Sequence, residues 1–127
     1  MKTTKTVRKA GFTLVEIMIV VAIIGLLAAI AIPNFVRARA TSQANACINN
    51  MRQIDAAVNE WALEQGKKTG DGPATLASDL TPYIKLNAHG SIPSCPAGGS
   101  YTVATVGTLP QVTCNIANSV TPGHFLP

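Results

Sequence analysis

The sequence predicts an α+β protein in which the C-terminal half of one long N-terminal helix packs against a small antiparallel β head. Three observations predict this fold class: an uncharged apolar run from Ile17 to Val36, an apolar helical stripe that continues it, and two short segments rich in Val, Thr and Tyr near the C-terminus. The predicted divisions are a leader over residues 1–11, the long helix over 12–65 with its membrane part over 12–36, and the head over 66–127.

The apolar run is long enough to cross a membrane. No side chain from Ile17 to Val36 is ionisable, and about 20 helical residues span about 30 Å, the thickness of the hydrocarbon core of a bilayer. The basic residues that flank the run are Lys2, Lys5, Arg8 and Lys9 before it and Arg37 and Arg39 after it. Because positive flanks stay in the cytoplasm, this asymmetry predicts a cytoplasmic N-terminus and an exported head.

Two other interpretations of this segment stay open. A secretory signal peptide also has a basic start, but its apolar core is shorter, about 7 to 15 residues, and Ala29-Ile30-Ala31 is an imperfect cleavage site. A plain single-pass anchor fits the length and the charges.

The long helix is predicted to run from Phe12 to Gln65, where Gly66 and two lysines supply a stop signal. Its second half carries apolar or small residues at alternating spacings of four and three, which form one stripe of a helix. The stripe consists of Ala40, Ala44, Cys47, Met51, Ile54, Val58 and Trp61. Pro33 lacks an N–H donor and Gly25 is a weak helix former, so a kink is predicted at these positions.

The head is predicted to contain a hairpin with strands over 101–106 and 111–116, joined by a turn at 107–110. Short helical signals over 76–86 include Thr81 before Pro82 as a cap and first-turn pair. An isolated hairpin is marginally stable, so it must pack on the long helix. Trp61, Val58 and Ile54 are the expected contact residues.

Three cysteines lie on what would be the oxidising side of the membrane. A disulfide between Cys95 and Cys114 would close a loop of about 20 residues and stabilise the head by about 3 kcal/mol. Pairings with Cys47 stay open, and that residue can equally be a buried apolar group or a free thiol. No Cys-x-x-Cys pair is present, so the sequence shows no zinc or thioredoxin-like spacing.

The sequence contains no set of residues with a catalytic pattern. His89 and His124 are the only histidines, and neither has a patterned Ser, Cys or carboxylate partner. Pro96 to Ser100 is glycine-rich but lacks the lysine of a phosphate-binding loop, and Asp71 has no second carboxylate suited to calcium. No enzyme, metal or cofactor is therefore predicted, although an anchored enzyme built around a histidine stays an open alternative.

The formal net charge of +4 belongs to the N-terminal segment. Four of the ten basic residues precede Gly11, and the other six equal the acidic residues in number. Nucleic acid is therefore not an expected partner. A local strip of Arg37, Arg39 and Arg52 keeps open the alternative of a membrane-anchored module that binds DNA or a polysaccharide.

Glu16 is the one acidic residue at the start of the apolar helix. A carboxylate at the centre of a bilayer costs about 2.5 to 3.5 kcal/mol, and less near an interface. Glu16 can simply lie at the cytoplasmic interface, or it can find a counter-ion when the helix leaves lipid. Cleavage after Gly11 would create such a counter-ion, the amine of Phe12, on a neighbouring copy.

Lys9-Ala10-Gly11-Phe12-Thr13-Leu14-Val15-Glu16, with the apolar run that follows, resembles the N-terminal segment of type IV pilins and type II secretion pseudopilins. The resemblance implies an inner-membrane prepilin that a membrane aspartyl peptidase cuts after Gly11 and methylates on Phe12. It also implies that an ATP-driven assembly platform draws the subunits from lipid into a periplasmic or extracellular helical filament of identical or related copies.

In such a filament the resemblance implies an ion pair between Phe12 and Glu16 of adjacent copies and a loosened helix near Gly25 and Pro33. The segment from Ile92 to Thr102 is similar to part of short pseudopilin-like proteins. The short spacing between the two head cysteines departs from many pilins. It favours a small pseudopilin or short pilin-like subunit over a large adhesive pilin.

Overall fold

The computed structural model describes residues 11–126, so the predicted leader lies outside the described residues except for Gly11. Three elements are present in this range: helix α1 (Leu14–Glu64) and strands β1 (Tyr101–Val103) and β2 (Val112–Cys114). The two strands form one antiparallel sheet. The α+β fold class is therefore confirmed. The chain divides into two compact units between Val36 and Arg37.

The first unit contains the N-terminal part of α1. Thr13 precedes the helix as its N-cap, and its side-chain Oγ1 accepts a hydrogen bond from the backbone N–H of Glu16 at 3.2 Å. The backbone stays helical through Gly25 and Pro33. A kink at these residues remains a prediction.

The second unit contains the hydrophobic core, to which α1 contributes a stripe of buried residues. The buried residues of the helix are Ala44, Cys47, Met51, Ile54, Ala57, Val58 and Ala62. The predicted stripe is thus confirmed in its centre, whereas Ala40 and Trp61 at its ends are only partly buried. Leu80, Val112 and Cys114 complete the core from the head.

The helix ends in a Schellman motif at Gly66, which has a left-handed φ of 61°. The backbone N–H of Gly66 bonds to the carbonyl of Leu63 at 3.3 Å, and that of Lys67 bonds to the carbonyl of Ala62 at 2.8 Å. The ammonium group of Lys67 lies 5.7 Å from the ring centroid of Trp61. The glycine stop signal therefore acts as the sequence predicts.

The helical segment predicted over 76–86 forms successive turns instead. Pro82 has no N–H to continue a helical ladder, and the Thr81 hydroxyl donates backward to the carbonyl of Ala77 at 2.6 Å rather than capping a helix. The Tyr83 hydroxyl donates to the carboxylate of Glu64, which ties these turns to the end of α1.

The hairpin is shorter than predicted, with Tyr101 opposite Cys114 and Val103 opposite Val112. Beyond Cys114, the backbone N–H of Asn115 donates to the carbonyl of Ser100 at 3.1 Å, and the side-chain oxygen of Asn115 accepts the backbone N–H of Ser100 at 2.9 Å in place of a second backbone bond. Ile54 and Val58 share the core with the hairpin as predicted, but Trp61 is only partly buried. The Tyr101 hydroxyl instead contacts Cys47, which lies about two helical turns N-terminal to Ile54 on α1.

Candidate functional site

The first candidate site is the apolar segment, which we define as residues 12–36. Its large apolar side chains are exposed, from Phe12 at 81% to Val20 at 48%. Within the described residues, one helix is long and apolar enough to cross a membrane, and none of its most apolar window is buried. A surface of this kind needs an apolar environment that a single copy of the chain does not provide.

The apolar segment begins with a pattern typical of a helix start. Thr13 and Glu16 occupy the N-cap and N3 positions of α1, the spacing of a capping box. The carboxylate of Glu16 also lies in the first turn, where the helix dipole favours negative charge. The capping box is visible in the sequence as Thr-x-x-Glu before an apolar run. It was not predicted, because Glu16 was interpreted only as a carboxylate at the membrane.

Gly11 and Phe12 are exposed and precede the helix. The peptide bond between them therefore lies outside the hydrogen-bonded helix. This position is compatible with the predicted cleavage, which needs an accessible bond. The pairing of Glu16 with Phe12 needs two copies and a free amine, so it stays a prediction. At Gly25 an added Cβ would meet nothing within 4 Å, so no contact among the described residues explains the glycine.

A second group of residues lies in the core of the head and was not predicted as a set. We call Cys47, Cys95, Cys114 and His124 the sulfur-imidazole cluster. Their ligand atoms, three sulfurs and one ring nitrogen, all lie within 4.8 Å of one another, and all four residues are buried. Cys95 Sγ is 3.6 Å from Nδ1 of His124.

The predicted disulfide between Cys95 and Cys114 is not formed in the structure, where all three cysteines are free thiols. The fold places Cys47 and the imidazole of His124 close to these two sulfurs. The bond stays a prediction for oxidising conditions, and it would compete with every other use of these thiols.

Polar groups around the cluster set the acidity of its thiols. Burial raises the pKa of Cys47 to about 12, although the Tyr101 hydroxyl donates to its Sγ at 3.5 Å and opposes the rise. Burial also acts to raise the pKa of Cys95, but hydrogen bonding from the backbone N–H groups of Ala97 and Gly99 contributes to a net lowering. Burial raises the pKa of Tyr101 as well.

The two histidines differ in their surroundings. His89 lies in an exposed turn, where its backbone N–H bonds to the side-chain oxygen of Asn87 at 3.0 Å. His124 is 2% exposed, and its Nδ1 lies 3.6 Å from the Sγ of Cys95. Cys95 beside it is 3% exposed, so both partners of the Cys–His contact are buried. Asp71 is used within its loop, where its carboxylate accepts the backbone N–H of Lys68 at 2.7 Å.

Comparisons with known proteins give one family model and several similar proteins. A family model described as the prokaryotic N-terminal methylation motif matches residues 7–32. The chain is 36% identical over 122 residues to Fimbrial protein Q of Moraxella bovis, a match that covers 91% of this chain and 76% of that protein. No solved structure matches the chain significantly.

Two further relatives match over shorter stretches. The chain is 47% identical over 60 residues to the type IV major pilin protein PilA of Myxococcus xanthus, which covers 47% of this chain and 27% of that protein. It is 40% identical over 80 residues to the type IV major pilin protein PilE1 of Neisseria gonorrhoeae, which covers 59% of this chain and 48% of that protein. The chain thus spans about a quarter to a half of the length of these two relatives.

Proposed function

The chain belongs to the type IV pilin family, and from that premise we propose that it is a structural subunit of a type IV pilus-like filament. The subunit is processed from an inner-membrane prepilin and polymerises through its hydrophobic N-terminal helix. Its relatives are named as pilins and fimbrial proteins, so the chain is a structural protein and not an enzyme.

The observation that carries this proposal is the exposure of the apolar segment. Its most apolar window is entirely uncovered in the single chain, while the buried apolar residues of α1 all lie from Ala44 onward. Before assembly, lipid covers this surface in a single-pass precursor with a cytoplasmic N-terminus. After assembly, the same segments of neighbouring copies cover one another in a periplasmic or extracellular filament.

We assign processing to the bond between Gly11 and Phe12. A prepilin peptidase cuts this bond and methylates the new amine of Phe12, and an inner-membrane platform then transfers the subunit to the filament. The match of residues 7–32 to the N-terminal methylation motif supports this assignment. Relatives named as type IV major pilins favour a pilus over the pseudopilus of type II secretion.

Glu16 supplies the charge that positions an incoming copy. Its carboxylate is exposed at the first turn of α1, and a buried charge persists only with a partner. The methylated amine of Phe12 on the adjacent copy is that partner. Gly25 and Pro33 lie further along the segment, where the helix loosens as copies stack.

Replacing Glu16 with Ala tests the pairing. A buried pair that loses one member costs about 3 to 5 kcal/mol, which corresponds to at least about a hundredfold weaker association. We therefore expect Glu16→Ala to enter the membrane and to be cut normally but to give few filaments. Membrane fractionation, the mass of the mature N-terminus and electron microscopy of sheared filaments measure the three steps.

Glu60→Ala is the matched control, because Glu60 is an exposed glutamate on the same helix outside the apolar segment. It should be processed and should assemble like the parent chain. Filaments of normal number and length from Glu16→Ala would contradict the pairing. A mature chain that begins at Met1 instead of methylated Phe12 would contradict the processing step.

A further inference from the structure

Four side chains that can ligate a metal ion converge in the core of the head. Cys47 comes from α1, Cys95 from the turn before β1, Cys114 from the end of β2 and His124 from the C-terminal segment. All four are at most 5% exposed. Segments far apart in the sequence therefore bring only sulfur and imidazole ligands to one point.

The spacing of these ligand atoms suits a single tetrahedral ion. Zinc binds thiolate sulfur at about 2.3 Å and imidazole nitrogen at about 2.0 to 2.1 Å, so the edges of a tetrahedral site measure about 3.5 to 3.8 Å. The distance from Cys95 Sγ to His124 Nδ1 is 3.6 Å, and the longest separation within the cluster is at most 4.8 Å. The longest edge needs to contract by no more than about 1.3 Å to hold the ion.

The backbone around the cluster is shaped to leave the sulfurs room. A Cβ added at Gly99 would lie 2.6 Å from Cys114 Sγ, so only glycine fits there. The turn that carries Cys95 closes through a hydrogen bond from the N–H of Gly98 to the Cys95 carbonyl at 2.9 Å. The Tyr101 hydroxyl is a donor directed at Cys47 Sγ. Metal-bound thiolates need such donors, because they carry negative charge into a buried site.

A cavity also borders the cluster. A cavity of ≈ 210 Å³ is lined by Cys114 and His124 together with residues of the C-terminal segment, including Phe125. The residues that line this cavity lie outside α1, and Phe125 among them is 54% exposed.

We propose that the sulfur-imidazole cluster is a structural zinc site, in which Zn²⁺ is held by the thiolates of Cys47, Cys95 and Cys114 and by one ring nitrogen of His124. Binding releases the three thiol protons to solvent and leaves one net negative charge on the site. The ion ties α1, the hairpin and the C-terminal segment together. This role is independent of filament assembly.

The donor set favours zinc over the other ions that proteins hold. Three thiolates and an imidazole exclude calcium and magnesium, which take oxygen ligands. Three cysteines and one histidine in a tetrahedron form a known type of structural zinc site. A disulfide between two of the thiols is the competing state, because it removes two ligands at once.

The test uses the full chain, purified in detergent under reducing and anaerobic conditions and freed of metal with a chelator. Zn²⁺ is then added, excess metal is removed, and the zinc per chain is measured by inductively coupled plasma mass spectrometry. We expect one Zn²⁺ per chain, a higher thermal unfolding midpoint with zinc, and protection of all three thiols from alkylation. Co²⁺ in place of Zn²⁺ should give the visible absorption of a tetrahedral cobalt-thiolate complex.

His124→Gln and His89→Gln are a matched pair, because the chain has only two histidines and His89 is exposed. Since loss of groups that merely support metal ligands costs 10 to 100-fold in affinity, we expect His124→Gln to weaken zinc binding by more than about a hundredfold. His89→Gln should bind zinc like the parent chain.

The alkylation and cobalt measurements on the parent chain decide the question even if His124→Gln fails to fold. The proposal is overturned if the reduced parent chain retains no zinc or if zinc leaves all three thiols open to alkylation. Equal zinc affinity of the two histidine variants would overturn it as well. A disulfide between Cys95 and Cys114 in native filaments would also overturn the proposal.

Discussion

At the scale of single residues, Glu16 has an observed place in the first turn of α1 and a proposed role between copies. As the N3 residue of α1, it stands where the helix dipole and the Thr13 cap favour a carboxylate. As the one acidic side chain at the start of the apolar segment, it is also the group that can hold a cation from another copy. The capping role explains why the residue is tolerated in one chain, and the pairing explains why the position would matter between chains.

Gly99 offers a sharp residue-scale prediction about packing. A methyl group there would lie 2.6 Å from Cys114 Sγ and 2.7 Å from Cγ1 of Ile116. Overpacking of this kind costs about 1 to 3 kcal/mol. We therefore expect Gly99→Ala to lower the free energy of unfolding of the reduced, metal-free chain by that amount, measured by chemical denaturation in detergent.

Gly72→Ala provides the control for this prediction. Gly72 lies in a loop where an added Cβ would meet nothing within 4 Å, and its φ is not left-handed. Alanine there should leave stability unchanged or raise it by up to about 1 kcal/mol through the unfolded chain. Equal stability of the two variants would show that the space beside Cys114 is not as tight as described.

The sequence indicated which residues were unusual but not which of them meet. Glu16 was recognisable because a carboxylate among apolar residues violates a local pattern. The sulfur-imidazole cluster was not, because its four members come from separate segments and no two of them have a metal-ligand spacing. Such a site depends on tertiary packing, which helical periodicity and motif spacing do not predict.

At the scale of elements, the sequence predicted best where one local rule decides the structure. The stripe of α1 follows helical periodicity and its end follows the glycine signal at Gly66, and both are confirmed. The prediction of a helix over 76–86 was wrong because Pro82 interrupts the helical hydrogen bonds that the composition of this segment favours. The predicted strands were too long because β propensity does not show where regular backbone pairing ends, and at Asn115 a side-chain oxygen accepts the N–H of Ser100 in place of a backbone carbonyl.

The turn from Thr75 to Asp79 gives an element-scale prediction about pH. The carboxylate of Asp79 accepts the backbone N–H of Thr75 at 2.7 Å, and this bond holds the pKa of Asp79 below its usual value. A lowered folded-state pKa adds stability above the unfolded value of about 3.9, and this stability is lost as the pH falls through the folded pKa. The effect is small because the carboxylate is near solvent.

We therefore expect the thermal unfolding midpoint of the parent chain to fall more steeply below about pH 4 than that of Asp79→Asn, which has no carboxylate to protonate. Asp55→Asn makes the same chemical change outside this turn and serves as the control. Parallel pH profiles for the parent chain and Asp79→Asn would contradict the role assigned to the Thr75–Asp79 bond.

At the scale of the whole molecule, burial and function are divided along the chain. The apolar residues from Phe12 to Val36 are exposed, whereas the core of the described chain begins at Ala44. One unit therefore needs lipid or other copies to cover it, and the other holds its own core. This division follows from composition, because only the second part of α1 alternates polar and apolar faces.

The second unit should consequently fold without the first. A chain that begins at Arg37 retains every residue of the buried core and loses the exposed apolar segment together with residues 1–11, so we expect it to be monomeric in water without detergent. Size-exclusion chromatography should show the monomer, and circular dichroism should show cooperative unfolding.

A chain that begins at Met51 loses Ala44 and Cys47, both at most 2% exposed. Truncating a single buried aliphatic side chain to alanine costs about 2 to 5 kcal/mol, and small domains are only marginally stable. Removing this part of the core should therefore abolish the cooperative transition. An unfolded chain from Arg37, or a stable one from Met51, would contradict the placement of the core.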